Sequence, residues 1–143
     1  MTSLPPKLEQ LVGLFGSSPK QIKLQALLDY SNRLPDLPDH IDPGEMEEVH
    51  ECQTPFFVAT ELADDGTVRM YFHAPPEAPT TRGYAGIISE GLNGLPPEDI
   101  LSVPDDFYTT MGLEEIVTPR RLRGMYAILA RVKRQVSELA DAT

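Results

Sequence analysis

The sequence predicts an α+β domain: a small three-stranded antiparallel sheet packed against helices on one side. Two observations carry most of this. Helix-period segments open the chain, strand-period segments follow, and helix-period segments return, so the strands form one block instead of alternating with helices. Within that block Phe56, Val58, Thr60 and Leu62 alternate with Phe57, Ala59 and Glu61, and Val68, Met70 and Phe72 alternate with Arg69, Tyr71 and His73. Ala63-Asp64-Asp65-Gly66 lies between the two runs, and Asp-Gly supplies the positive φ angles of a tight hairpin turn. A length of 143 residues suits one domain, placed at 1–143, with a substantial core.

The elements follow in order. Leu4-Pro5-Pro6 opens a helix, since Pro is tolerated in the first turn, and Leu8, Leu11, Val12 and Phe15 form its apolar stripe up to Gly16. Ser18-Pro19-Lys20-Gln21 has the form of a capping box for a second helix, which stops before Pro35. Its Ile22, Leu24, Leu27, Leu28 and Leu34 are expected in the core. Residues 35–44 hold three prolines and no periodicity, a stiff surface loop. Two strands alone are marginal, so Glu45 to His50 is expected to add an earlier strand, which puts Cys52 at the turn before the hairpin. Beyond Ala74-Pro75-Pro76, Thr80 or Thr81 caps a helix carrying Tyr84, Ala85, Ile87, Ile88 and Leu92, and its Gly83 and Gly86 permit close packing against the sheet. Asn93-Gly94 ends it. Short helices start at Pro96-Pro97-Glu98-Asp99 and at Pro104-Asp105-Asp106, the second stopping at Gly112. Thr118-Pro119 caps the last and longest, whose Leu122, Met125, Leu129, Val132, Val136 and Leu139 pack on the body of the domain.

A net charge of −10, from 22 acidic against 12 basic side chains, repels phosphate backbones, so no nucleic-acid partner is expected. Arg120, Arg121, Arg123, Arg131, Lys133 and Arg134 crowd into the last quarter, which reads as the solvated basic face of a helix. No apolar run is long enough to cross a bilayer, and Met1-Thr2-Ser3-Leu4-Pro5-Pro6 lacks the basic and apolar regions of a signal peptide. A single cysteine excludes an intramolecular disulfide and fits a reducing, cytoplasmic setting.

That cysteine, Cys52, sits where an acidic approach (Glu45, Glu47, Glu48, Glu51) gives way to Phe56, Phe57 and Val58. Its thiolate would attack soft centres, above all another sulfur. Beside this stands the inert alternative, since a lone Cys is often buried as a small hydrophobe. A metal site would draw on His40, His50 and His73, whose spacing with Cys52 matches no familiar zinc pattern, and one thiolate cannot hold an iron–sulfur cluster within a single chain. A Cys-dependent hydrolase would need His50 or His73 as base. A sulfur carrier needs only a loop, a shielding wall such as Phe56 and Phe57, and a docking surface. Burial and the neighbouring Glu51 would both raise the thiol pKa, leaving the resting residue sluggish.

Arg33-Leu34-Pro35, Val49-x-x-Cys52-Gln53, Gly83, Pro97-Glu98-Asp99-Ile100 and Thr118-Pro119-x-Arg121-x-x-Gly124 occur in that order over nearly the whole chain. In these the sequence resembles the SufE-type sulfur acceptors. The resemblance implies a fold akin to iron–sulfur scaffolds of the IscU kind and an accessory protein, not an enzyme, with no cofactor or metal of its own. Its partners would be a pyridoxal-phosphate-dependent cysteine desulfurase, which it stimulates, and an iron–sulfur scaffold complex. Cys52 would take sulfur as a persulfide, Arg121 would supply charge support and Gln53 would belong to the loop; the chain would act as a monomer or homodimer. Glu51 departs from the pattern, because a Gly commonly precedes the family's cysteine.

Overall fold

The structure is a computed structural model that describes residues 4–142, so the reading of Met1-Thr2-Ser3 lies outside the described residues. Helix α1 (Pro6–Gly16) buries Leu8, Leu11, Val12 and Phe15, the stripe expected from their spacing. Ser18 does not cap the next helix. Its hydroxyl donates back to the Leu14 carbonyl at 2.6 Å, closing the end of α1, and α2 (Lys20–Asn32) starts from Pro19 with no side-chain cap. The buried face of α2 also differs from expectation. Lys23, Leu27, Tyr30 and Ser31 are buried, with Leu34 just beyond the helix, whereas Ile22 and Leu24 are 55% and 41% exposed. The face follows what α2 meets: Lys23 is 4% exposed and its Nζ lies 3.1 Å from Glu115 Oε2, on a distant turn.

Strands β1 (Glu47–Glu48), β2 (Phe57–Leu62) and β3 (Val68–His73) form an antiparallel sheet in that order. β1 is shorter than expected, because a 3₁₀ turn at Pro43–Glu45 occupies the start of that stretch. In the hairpin Phe57 pairs with His73 and Leu62 with Val68. Only Gly66 takes positive φ in its turn (84°), and Asp65 Oδ1 accepts from the Thr67 amide and hydroxyl. Val58, Val68, Met70 and Phe72 face the core, while Arg69 and His73 face solvent. One face of the sheet is thus covered by helices.

Helix α3 (Pro79–Leu92) is the most enclosed element. Ala78 is its N-cap, so Thr80 and Thr81 lie inside the first turn instead of capping it. Gly83 and Gly86 do permit close packing, but against α2 and not the sheet: a Cβ on either would collide with the carbonyl oxygens of Leu27 and Tyr30. Arg82 ties the ends together, donating to Ser31 O at 3.0 Å and to Ala74 O at 2.7 Å. Helix α4 (Pro97–Leu101) follows, and residues Phe107–Met111 form a 3₁₀ turn, not an α-helix, ending at left-handed Gly112. Helix α5 (Pro119–Asp141) is the longest, with the Thr118 hydroxyl accepting from the Arg121 amide, and it packs along β2 and α4.

Candidate functional site

The loop that carries Cys52 is anchored by apolar residues at its two ends. Val49 and Phe56 are buried, and the Val49 amide donates to the Phe56 carbonyl at 2.8 Å. The Cys52 amide donates to the Val49 carbonyl at 3.2 Å, which folds the intervening residues into a turn. Among the described residues no non-glycine has a positive φ, so Glu51 occupies the place before Cys52 without backbone strain and needs no glycine there.

Cys52 is half-buried, and its cover comes from α5. Sγ lies 3.9 Å from the Gly124 carbonyl, a weak S–H donor contact. A Cβ at position 124 would stand 3.2 Å from Sγ and 3.5 Å from the Cys52 Cα, so Gly124 is the residue that lets loop and helix touch. Phe56 is in the core with its ring 6.0 Å from that of Phe72, Phe57 sits beside His73, and Cys52 packs against the apolar core to which Phe56 belongs, with α5 adding to its cover. Burial pushes the thiol up to about 11, with Glu51 adding to the effect and Arg131 opposing it. At neutral pH the residue is therefore a covered, protonated thiol.

Arg131 holds the loop in place. Its Nη1 donates to Glu47 Oε2 at 3.1 Å and to the Glu48 carbonyl at 2.6 Å, and its Nη2 donates to Glu51 Oε1 at 3.0 Å. One guanidinium on α5 thus clamps β1 and the residue next to the thiol, using several donors of its planar fork. Arg134 also pairs with Glu47, and Lys133 with Asp105 at 3.0 Å. The basic residues of the last quarter are accordingly not a uniformly solvated face. Sequence reasoning counted Arg131 among them and missed its role; the complementary Glu47-Glu48-x-x-Glu51 run was the available signal.

The other expected site residues make their polar contacts elsewhere or face solvent. Arg121 reaches Thr80 Oγ1 at 3.4 Å, and Arg131 is a guanidinium whose charge lowers the thiol pKa against burial. Gln53 is exposed at the loop tip. His50 is exposed with Nδ1 3.6 Å from Glu48, His40 bonds Glu61, and His73 stands against Phe57. None of them hydrogen-bonds Cys52 among the described residues, where its Sγ contact is to the Gly124 carbonyl. Beside the loop, an open cleft of about 550 Å³ is lined by Glu51, Tyr108, Tyr126 and the arginines 123, 131 and 134.

Comparison with known proteins gives concordant matches. Residues 9–136 match the family model described as SufE: Fe-S metabolism associated domain. An uncharacterised SufE-like protein of Mycobacterium tuberculosis is 49% identical over 136 residues, covering 95% of each chain. A cysteine desulfuration protein SufE of Plasmodium falciparum is 29% identical over 135 residues, covering 92% of this chain and 54% of that one. The solution structure of a hypothetical protein from Thermus thermophilus superposes with a TM-score of 0.87 at 47% identity, covering 97% of this chain and 99% of that one.

Proposed function

The chain belongs to the SufE family, and from that premise we propose that it relays sulfur on Cys52 from a cysteine desulfurase to an iron–sulfur scaffold. The observation that carries the reading is a sole cysteine on an anchored loop, covered by α5 and held protonated. A half-buried, protonated thiol of that kind resists oxidation while idle and gains reactivity when it is moved out from under its cover.

The transfer is a thiol–persulfide exchange. The Cys52 thiolate attacks the outer sulfur of the donor's cysteine persulfide, a bond forms between the two sulfurs, and the donor's own S–S bond breaks. The donor leaves as thiolate and Cys52 carries the –S–SH group. No external oxidant or reductant is consumed. Pyridoxal phosphate would belong to the donor, and clearing its persulfide for another turnover would account for stimulation of the desulfurase. This chain would then be an accessory protein in a reducing cytoplasm, working as a monomer or homodimer in which each copy has its own loop. Arg121 and Gln53, on the helix start and the loop tip, would meet the donor rather than the resting thiol.

Intact-mass spectrometry tests the reading. The protein is mixed with a desulfurase and free cysteine without reductant. One added sulfur atom is expected on the wild type and none on Cys52→Ser. No gain with a panel of desulfurases would overturn the relay, and full stimulation of the desulfurase by Cys52→Ser would assign a binding module instead.

A further inference from the structure

The cleft beside Glu51 has a use that the relay chemistry leaves open. Its floor and sides are Tyr108, Tyr126, Ala127 and Ala130, and its charged lining is three arginines against the single carboxylate of Glu51. Tyr126 is 47% exposed on a helix otherwise well buried on its inner face. Arg123 is exposed and makes no ion pair among the described residues, in a chain whose net charge is −10. Exposed Tyr and Arg together are the composition of a protein–protein contact. A small molecule would be poorly enclosed in so open a cleft, whereas a side chain carried on a protein surface brings its own cover.

The same cleft contains the clamp on the reactive loop. Glu51 borders it, and Glu51 is held there by Arg131, which also holds Glu47 and the Glu48 carbonyl. A carboxylate entering the cleft would be drawn by Arg123, which has no ion pair among the described residues, and would compete with Glu51 for the Arg131 fork. Because Glu51 adjoins Cys52, its release would loosen the segment that lies on Gly124.

Resting on the relay reading above, we propose that this cleft receives an acidic side chain of the sulfur-donor protein, which takes Arg131 over from Glu51 and so frees the Cys52 loop from α5. Docking and exposure of the thiol are then one event, and the thiol stays covered in the absence of its donor.

The two sides of this competition make opposite predictions. With a desulfurase that loads wild-type Cys52, Arg123→Glu is expected to raise Kd about ten-fold, mainly through a slower, less salt-sensitive association. Arg123→Lys should recover part of the loss. Glu51→Gln removes the internal competitor and should lower Kd several-fold, while hydrogen exchange of the amides of residues 50–55 in the free protein becomes faster. If Arg123→Glu leaves Kd unchanged, or Glu51→Gln weakens binding, the proposal is overturned although the relay stands. Self-association that Arg123→Glu abolishes, with donor affinity unchanged, would assign the cleft to a second copy and likewise overturn it. If no desulfurase loads the wild type, the relay fails, and the docking proposal with it.

Discussion

Cys52 is defined by what opposes its ionisation. A thiol pushed up to about 11 stands four units above pH 7, so about one molecule in 10,000 is thiolate in the free protein. Alkylation by iodoacetamide should therefore be slow at pH 7 and climb about ten-fold per pH unit up to pH 10. A rate that levels off by pH 9 would show an ordinary thiol. The cover itself can be tested at Gly124. Gly124→Ala adds a methyl 3.2 Å from Sγ, tighter than relaxed packing, and the loop must give way. Alkylation at fixed pH should accelerate, while the melting temperature moves little, because an alanine gains about 1 kcal/mol of helix propensity over glycine. Equal alkylation rates would mean that α5 does not guard the thiol. Cys52 could be singled out from the sequence because it has no competitor, and burial beside Phe56 and Phe57, with Glu51 next to it, raised the correct expectation for its pKa. Its cover could not, since Gly124 and Arg131 lie some 70 to 80 positions away and only the fold brings them to the loop.

At the level of elements, α2 and α3 meet along a seam that two glycines define. Gly83→Ala would drive a methyl into the Leu27 carbonyl, which cannot move without moving α2. Such overpacking should destabilise by about 2 kcal/mol or more despite the gain in propensity, read as a lower urea midpoint. Gly13→Ala is the contrasting substitution, because nothing lies within 4 Å of a Cβ built there on α1. It should stabilise by about 0.5–1 kcal/mol, and a common sign for the two variants would refute the seam argument. The difference between readable and unreadable elements follows the same logic. α1, the hairpin and the Thr118 cap were readable because their patterns are local: a clean 3.6 or 2.0 period, or a hydroxyl next to proline. The face of α2 was not, because it is set by the glycines of α3 and by Glu115, which makes Lys23 a buried residue and leaves Ile22 outside. Ser18 had the right neighbours for a cap, yet its hydroxyl found the Leu14 carbonyl of the preceding helix first.

Across the whole molecule, the helical layer and the sheet share one apolar core, and the sheet has further ties of its own. α3 is enclosed by apolar side chains and helix backbone, whereas the sheet is tied at its margins by carboxylates. Glu47 joins β1 to α5: burial pushes its pKa up, but hydrogen bonds from Gln135 and Arg134 and the charges of Arg134 and Arg131 bring it below the usual value. Glu61 joins β2 to Tyr71 of β3 and to His40 of the preceding loop, and hydrogen bonds from these two lower it. Asp65, in the hairpin turn, is lowered by the Thr67 hydroxyl and amide. A carboxylate with a depressed folded-state pKa contributes stability that is present above its unfolded value and is lost as pH falls through the folded one. The Glu47 and Glu61 ties therefore weaken below about pH 4.5 and the Asp65 tie below about pH 3.8, and all three are lost at lower pH, whereas the carboxylate of α3, Glu90, makes only a longer, part-exposed pair with Arg33 at 3.7 Å. Hydrogen exchange, corrected for intrinsic rates, should show the amides of β1 to β3 losing protection before those of α3 as the pH is taken from 5 to 3. Glu47→Gln and Glu61→Gln should each flatten the acid limb of the melting temperature against pH. Simultaneous loss of protection in sheet and α3 would mean that the molecule unfolds as one unit, and that the margins of the sheet, including the strand leading into Cys52, have no separate stability to lose.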